Sequence, residues 1–229
     1  MQRLFDILIS AAAIVALSPI LLIVMLVLRF SGEGEIFYAQ RRIGKHQREF
    51  SLLKFATMLK NSPNIGTGSV TLANDPRILP AGRFLRKTKL NELPQLFNVL
   101  RGDMSLIGPR PLTRQTFDMY PDAAKAAVQS VAPGLSGVGS IVFRNEEKIL
   151  TDSYQALETY REHIAPYKGE LETWFVENKS FALYLKALFA TGLVVLFDDE
   201  RITWRLFSSI PAPPDTLRKI LGYSPTQNP

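Results

Sequence analysis

The amino-acid sequence predicts an α/β fold: a small mixed domain with a short β-hairpin and several helices, carried on an apolar N-terminal helix. Three observations predict it. Ile7 to Leu28 contains no charged residue, residues 37–55 read as two short strands about Gly44, and apolar residues elsewhere recur mostly at helical spacing. At 229 residues and 46% hydrophobic, the chain has room for one membrane segment and one domain of ordinary size. The expected segments are 1–30 in the membrane, 31–200 as the globular domain, and 201–229 as an interfacial amphipathic helix and tail.

The apolar run comes first. As a straight helix it is roughly 33 Å long, enough to cross a hydrocarbon core of about 30 Å. A cleaved signal peptide fits less well, because Arg3 is offset by Asp6 and the run exceeds an ordinary signal core. Ser18-Pro19 falls mid-run, where proline removes a backbone bond and bends a helix. On physics alone this reads as a kinked single span. Arg29, Arg41, Arg42, Lys45 and Arg48 follow closely, and such an excess marks the cytoplasmic side.

Next comes the hairpin, whose apolar face is expected from Phe37, Tyr38, Phe50, Leu52 and Phe55. Lys54 either reaches a site or is a surface lysine at a strand end. Residues 61–80 are loop-like, a connection that could cover a site; Gly66-Thr67-Gly68 lacks the spacing of a phosphate-binding P-loop. Leu93, Leu96, Phe97 and Leu100 then fall at i, i+3, i+4 and i+7 of a helix, with Asn91 or Thr88 as its cap, Pro94 in its first turn and Gly102 as its stop. A helix is expected over 112–131, interrupted at Tyr120-Pro121, then a glycine-rich turn and a strand over 140–143. Helices are expected over 151–167 and 171–197. Within the latter, residues 181–197 are apolar but short for a span, so they pack at the interface or beneath the first helix. Trp204 to Phe207 and Leu217 to Tyr223, separated by Pro211 to Pro214, have the aromatic, basic and apolar mixture of an interfacial helix.

Charge and composition narrow the function. The formal charge of +6 and pI near 9.6 suit anionic lipid headgroups and phosphorylated ligands. Nucleic acid is the competing partner, and no recognised nucleic-acid module accompanies the charge. The chain has no cysteine, which excludes disulfides and thiolate metal sites, and His46 and His163 are too far apart to suggest a histidine metal site.

The chemistry concentrates between Arg83 and Pro111. Arg83, Arg86, Lys87 and Lys89 precede a helix start, which offers backbone N–H groups to an anion, and Glu92 sits in its first turn. Downstream, Pro109 and Pro111 flank Arg110 and hold its guanidinium on stiff backbone. Singly, each feature is commonplace on a surface. Together they point to a phosphorylated ligand. Arg77, in Asp75-Pro76-Arg77, is either a phosphate contact or a structural salt bridge.

The run LRKTKLNELPQLFNVLRGDMSLIGPRP, with Asp75-Pro76-Arg77, Lys54-Phe55 and the apolar N-terminus, resembles the bacterial sugar transferases, the monotopic phosphoglycosyl transferases, over nearly the whole chain. The resemblance implies transfer of a phospho-sugar from a UDP-sugar to polyprenyl phosphate, with release of UMP, through a covalent phosphosugar enzyme and with Mg²⁺. It implies a re-entrant membrane hairpin broken at Ser18-Pro19, and a globular domain on the cytoplasmic face of the bacterial inner membrane. Further expected partners are membrane lipids, a second copy of the chain, and downstream glycosyltransferases. It assigns phosphate or nucleotide contacts to Lys54, Arg77, Arg83, Arg86, Pro109, Arg110, Pro111 and Arg144, and metal or acid–base duty to Glu92, with Asp103 as the weaker metal candidate. One position departs. Where the family carries an Asp-Glu dyad with the aspartate as nucleophile, this chain has Asn91-Glu92, and a neutral amide is a poor nucleophile. Asn91 marks an engineered trap, a subgroup using another acid, or a silent relative. The glycine-rich turn also departs, reading GLSGVGSIVFRNEE, which weakens any role carried to Arg144.

Overall fold

The computed structural model describes residues 1–68, 70–150, 155–197, 199, 201–207 and 209–224. It is a mixed α/β fold with small two-stranded sheets, as expected. The chain opens with α1 (Gln2–Arg29), a single helix that runs through Ser18-Pro19. Among the described residues it is the one helix long and apolar enough to cross a membrane. At the Ser18-Pro19 pair the Ser18 hydroxyl donates to the Val15 carbonyl at 2.8 Å, within one helical element.

One stripe of α1 is packed along its whole length. Asp6, Ser10, Leu21, Val24 and Leu28 are buried. Between them Ile9, Ala13 and Ile14 pack on the main core, and Leu17 and Met25 on a second cluster with Phe55 and Leu85. The spacing is that of one helix face. The other faces are apolar and bare: Val15 is 74% exposed and Ile23 61%. At the N-terminal end, the Arg3 guanidinium donates to the Leu100 carbonyl at 2.7 Å. Asp6 Oδ1 accepts from the Leu106 N–H at 2.9 Å, the Ser105 hydroxyl at 3.1 Å and the Tyr184 phenol at 2.8 Å. Both ends of α1 are therefore held by the same domain.

Strands β1 (Phe37–Ile43) and β2 (Glu49–Phe55) form the expected antiparallel hairpin, with Phe37 opposite Phe55 and Ile43 opposite Glu49. Gly44 opens the turn because a Cβ there would lie 2.9 Å from the Arg48 carbonyl. Leu52 and Phe55 are buried, and Phe37 stays half-exposed, stacked on Phe55 at 5.6 Å. Helix α2 (Pro80–Lys87) leads through a 3-10 turn, Leu90–Glu92, into α3 (Gln95–Arg101). Neither Asn91 nor Thr88 caps α3: Pro94 occupies the cap position, and Thr88 ends α2 by donating to the Phe84 carbonyl at 2.9 Å. Gly102 stops α3 at φ 94°, as expected. The buried face differs from the expected one. Phe97 is 41% exposed, while Asn98 is fully buried and ties α3 to β2, accepting from the Leu53 N–H at 2.9 Å and donating to the Ser51 carbonyl at 2.8 Å.

A second sheet pairs β3 (Ser105–Ile107) in parallel with β4 (Gly134–Ser136). Between them lie α4 (Arg114–Asp118) and α5 (Asp122–Ser130), broken at Tyr120-Pro121 as expected. The strand expected over 140–143 is instead α6 (Val138–Val142): the strand character falls on Gly134–Ser136, where Gly134 lies so close to Gly108 that no side chain fits. Next, α7 (Ala156–Thr159), a π-turn (Tyr160–Ile164) and α8 (Ala165–Glu177) run without a break, so the helix boundary falls after Glu177 rather than near residue 168. The start of the helix expected over 151–167 lies outside the described residues.

Helix α9 (Phe181–Phe197) packs beside the start of α1, with Phe181 edge-on to Phe5 at 5.1 Å. Its other side leaves Phe189, Leu196 and Phe197 exposed. Finally, α10 (Arg201–Leu206) and α11 (Asp215–Arg218) correct the interfacial reading of the C-terminal residues. Trp204, Phe207, Leu217 and Leu221 are buried in the main core, and the Trp204 indole donates to the Leu221 carbonyl at 2.9 Å.

Candidate active site

A cleft of about 810 Å³ opens between the hairpin, the Leu90–Glu92 turn and the segment after β3. Local structure explains who lines it. Register places Lys54 opposite Tyr38 near the end of β2, while Arg42 comes from β1. Arg86 closes α2, and Lys89 adopts a left-handed conformation at φ 59° that turns the chain into the 3-10 turn. Arg110 follows β3, held between prolines. The Pro109 carbonyl accepts from the Gly134 N–H at 2.7 Å, and the Pro111 carbonyl from the Arg42 guanidinium at 2.9 Å.

Glu92 is the charge around which these cations gather. Its Oε1 lies 3.0 Å from Arg110 Nη2 and 3.9 Å from Lys54 Nζ. Burial alone would raise its pKa, but Arg110, Lys54 and Lys89 together outweigh that and hold the carboxyl far below the ordinary glutamate value. Glu92 in turn holds the Arg110 guanidinium above its ordinary value. Burial pulls Lys54 well below the usual lysine range, against the pull of Glu92, and lowers Arg42 to about 10. Arg86 donates to the Thr71 hydroxyl at 3.0 Å, and Lys89 to the Arg144 carbonyl at 3.1 Å. Asn91, 4% exposed, lines the cleft beside Glu92, and its Oδ1 is buried with no hydrogen-bond partner. Several fixed cations gathered about one carboxylate make a floor for a group with many negative oxygens, such as a diphosphate.

Of the residues singled out from the sequence, Lys54, Arg86, Asn91, Glu92, Arg110 and Arg144 line this cleft. Others do not. Arg77 is 3% exposed inside the loop over residues 62–70, and its guanidinium meets Asp75 at 2.5 Å and loop carbonyls, so the salt-bridge alternative holds. Arg83 is exposed on α2, away from the cleft lining. Asp103, the weaker metal candidate, accepts from Asn98 Nδ2 at 3.1 Å and does not line the cleft. Pro109 and Pro111 are buried and position Arg110 without lining the cleft. Among the described residues, no three acidic or histidine side chains cluster as a metal site.

Sequence reasoning missed Arg42 and Lys89 as lining residues, and Glu172 on α8 altogether. In β1 the adjacent Arg41-Arg42 pair marked only charge, and nothing local marked Glu172. That residue is 1% exposed, and its Oε1 accepts from the Arg110 backbone N–H at 3.2 Å while Oε2 has no partner. Desolvation raises its pKa to about 7, against the pull of Lys168 and Arg110. Between the ordinary glutamate value and about 7, the folded chain therefore binds a proton that the unfolded chain releases, so this group lowers stability as pH rises through that window. Glu172→Gln keeps the oxygen facing Arg110 and removes the charge. Its melting temperature should exceed the parent's at pH 8 by an amount worth roughly 2–3 kcal/mol and match it at pH 5, as thermal unfolding at the two pH values will read.

Comparison with known proteins bears on this site. Residues 1–198 match the family model described as bacterial sugar transferase. The chain is 40% identical over 164 residues to the exopolysaccharide production protein ExoY of Sinorhizobium fredii, covering 66% of this chain and 72% of that protein. It is 32% identical over 213 residues to the undecaprenyl-phosphate galactose phosphotransferase of Salmonella typhimurium, covering 87% of this chain and 41% of that larger protein. Over 143 residues it is 37% identical to the UDP-N-acetylgalactosamine-undecaprenyl-phosphate N-acetylgalactosaminephosphotransferase of Aeromonas hydrophila, covering 62% of this chain and 34% of that protein. With the cation-lined cleft and the Arg83 to Pro111 run inside the matched region, the chain belongs to the bacterial sugar transferase family.

Proposed function

We propose that the protein transfers a sugar 1-phosphate from a UDP-sugar to a polyprenyl phosphate such as undecaprenyl phosphate, releasing UMP, as an early membrane step of polysaccharide or other glycan assembly. The observation that carries this reading is the convergence of Arg42, Lys54, Arg86, Lys89 and Arg110 on one cleft, with Glu92 fixed among them. Bidentate guanidinium donors suit the oxygens of a diphosphate and of a lipid phosphate alike. The Salmonella and Aeromonas relatives, by name, act with undecaprenyl phosphate, and the Aeromonas one with a uridine donor.

Mg²⁺ is usually held by one or two protein oxygens, with the substrate phosphates completing its shell. Glu92 and the partnerless Oδ1 of Asn91 fit that part and would hold it. Bound there, it would offset charge on the departing phosphate. Arg110 and Lys54 keep Glu92 ionised, and the cations orient the diphosphate for attack from the side of residue 91. In this reading the covalent phosphosugar enzyme forms on a carboxylate; an amide is a poor nucleophile, so with Asn91 in that place transfer by this chain falls to another carboxylate of the cleft, Glu92 beside it. A second reading follows from that: a catalytically silent relative that binds UDP-sugar or lipid phosphate and scaffolds partner transferases, itself or in a second copy.

The protein sits at the cytoplasmic face of a bacterial inner membrane, with α1 entering and leaving on one face. What supports this is the bonding of both α1 ends to the domain and the bare apolar faces between them. Because the chain has no cysteine, single cysteines at Gln2 and Ser31 should both label from the same side of sealed membrane vesicles. Labelling from opposite sides would establish a span.

UMP release in detergent, with Mg²⁺, polyprenyl phosphate and a panel of UDP-sugars, tests the function. Release that needs the lipid phosphate supports transfer. Binding of UDP-sugar without release supports the silent reading, and no binding of either ligand rejects both.

A further inference from the structure

One part of the cleft wall takes no part in holding a diphosphate. Lys168 on α8 is 3% exposed and ion-paired with Glu146, and its ammonium lies 5.3 Å from the Phe143 ring centre and 6.0 Å from that of Tyr160. All four residues line the cleft. Tyr160 opens the π-turn between α7 and α8, a rare backbone form that concentrates at functional sites. The Lys168 end of this pair is buried and the Glu146 end a quarter exposed toward the cleft, and an ion pair with a buried partner is ordinarily no more stable than apolar residues of the same size, so stability does not account for it. The wall adjoins the phosphate floor, since the charge of Glu146 bears on Arg110.

We propose that Glu146, Lys168 and Tyr160 read the hexose of the nucleotide sugar, an inference that rests on the UDP-sugar reading above. Hexose epimers differ in the direction of a single hydroxyl, so telling them apart takes donors and acceptors fixed in space. A carboxylate accepts from hydroxyls, an ammonium and a phenol donate to them, and the Phe143 face suits the C–H side of a sugar ring. Each polar group is pinned. Lys168 is held by its ion pair and two rings, Glu146 by Lys168, and Tyr160 by the burial of its own ring. An epimer that fails to meet them would leave buried polar atoms unpaired, the costliest kind of mismatch.

Calorimetric binding of UDP and of epimeric UDP-hexoses to the full chain in detergent tests this without requiring turnover. Glu146→Gln combined with Lys168→Met removes both charges and leaves neither partner buried alone. Tyr160→Phe removes one oxygen and keeps the ring. The parent should prefer one UDP-hexose over its epimer by about ten-fold or more, and the preference should shrink to about two-fold in either variant, with UDP bound as tightly as before. A preference unchanged in the variants overturns the inference. So does an equal loss of UDP and of every UDP-sugar, which would assign the wall to the base or the phosphates. A parent that binds UDP-sugars without preference overturns it while leaving the proposed function standing. A parent that binds no uridine nucleotide overturns the UDP-sugar reading and takes this inference with it.

Discussion

Asn91→Asp should raise polyprenyl-phosphate-dependent UMP release by about a hundred-fold or more, equivalent to ~2.7 kcal/mol off the barrier. The substitution is isosteric, and residue 91 lies in a 3-10 turn fixed by the left-handed Lys89 before it and Pro94 after it. The new carboxylate would therefore occupy the place of the amide. It would be a second anion beside Glu92, but Arg42, Lys54, Arg86, Lys89 and Arg110 line the same cleft and favour its ionised, nucleophilic form. Thermal stability should stay close to the parent's, so a change in rate would report chemistry rather than folding. Equal rates for the two chains would mean that another group attacks the phosphate, and Glu92 would be the next residue to replace.

The largest loss of stability is expected from Arg77→Met. The Arg77 guanidinium donates to the carbonyls of Ser62 at 3.0 Å, Ile65 at 2.9 Å, Gly68 at 2.7 Å and Val70 at 2.9 Å. Its Nε reaches Asp75 at 2.8 Å. Burial opposes ionisation of Asp75, yet the Arg77 side chain and N–H hold that carboxyl below its ordinary value. Methionine would leave a buried carboxylate without its counter-charge and four carbonyls without their guanidinium donor. Removing one partner of such a pair costs about 3–5 kcal/mol. For a chain of this size that lowers the melting temperature by on the order of 10 °C. Ser62, Pro63, Gly68 and Val70 also line the cleft, so ligand binding should fall with stability. Arg77→Lys, which keeps charge but loses the planar fork, should lie between. A methionine variant melting within about 3 °C of the parent would show that the loop holds itself.

Sequence and structure agree where local chemistry decides. The apolar residues of 37–55 marked the hairpin, Gly44 marked its turn, and Gly102 marked the end of α3, because each is a property of a few neighbouring residues. They part where distant partners decide. Spacing in α3 put Phe97 inward, but Asn98 takes the buried face because Ser51, Leu53 and Asp103 complete its hydrogen bonds. Ser140, Ile141 and Val142 include strand-forming side chains yet lie in α6, which Gly139 lets pack so closely on α8 that a Cβ there would lie 2.5 Å from the Glu172 carboxylate. The candidate site was legible as a run of basic residues around Asn91-Glu92. The cation that comes from β1, Arg42, and the carboxylate that comes from α8, Glu172, were not, because only the fold brings them near Arg110.

The stripe on α1 has a consequence for how the chain is made. Its partners, from Phe55 and Leu85 to Ser105, Leu106 and Tyr184, all follow it in sequence, so during synthesis it waits with its docking face unfilled. The contact that completes Asp6 joins residues 178 apart, when the Tyr184 phenol arrives. A lipid bilayer can shelter the apolar faces of α1 over that interval, and later segments then fold against a template already in place. Cutting α1 away to obtain a soluble domain would expose Phe55, Leu85 and Leu93, the residues on which Lys54 and Glu92 are mounted.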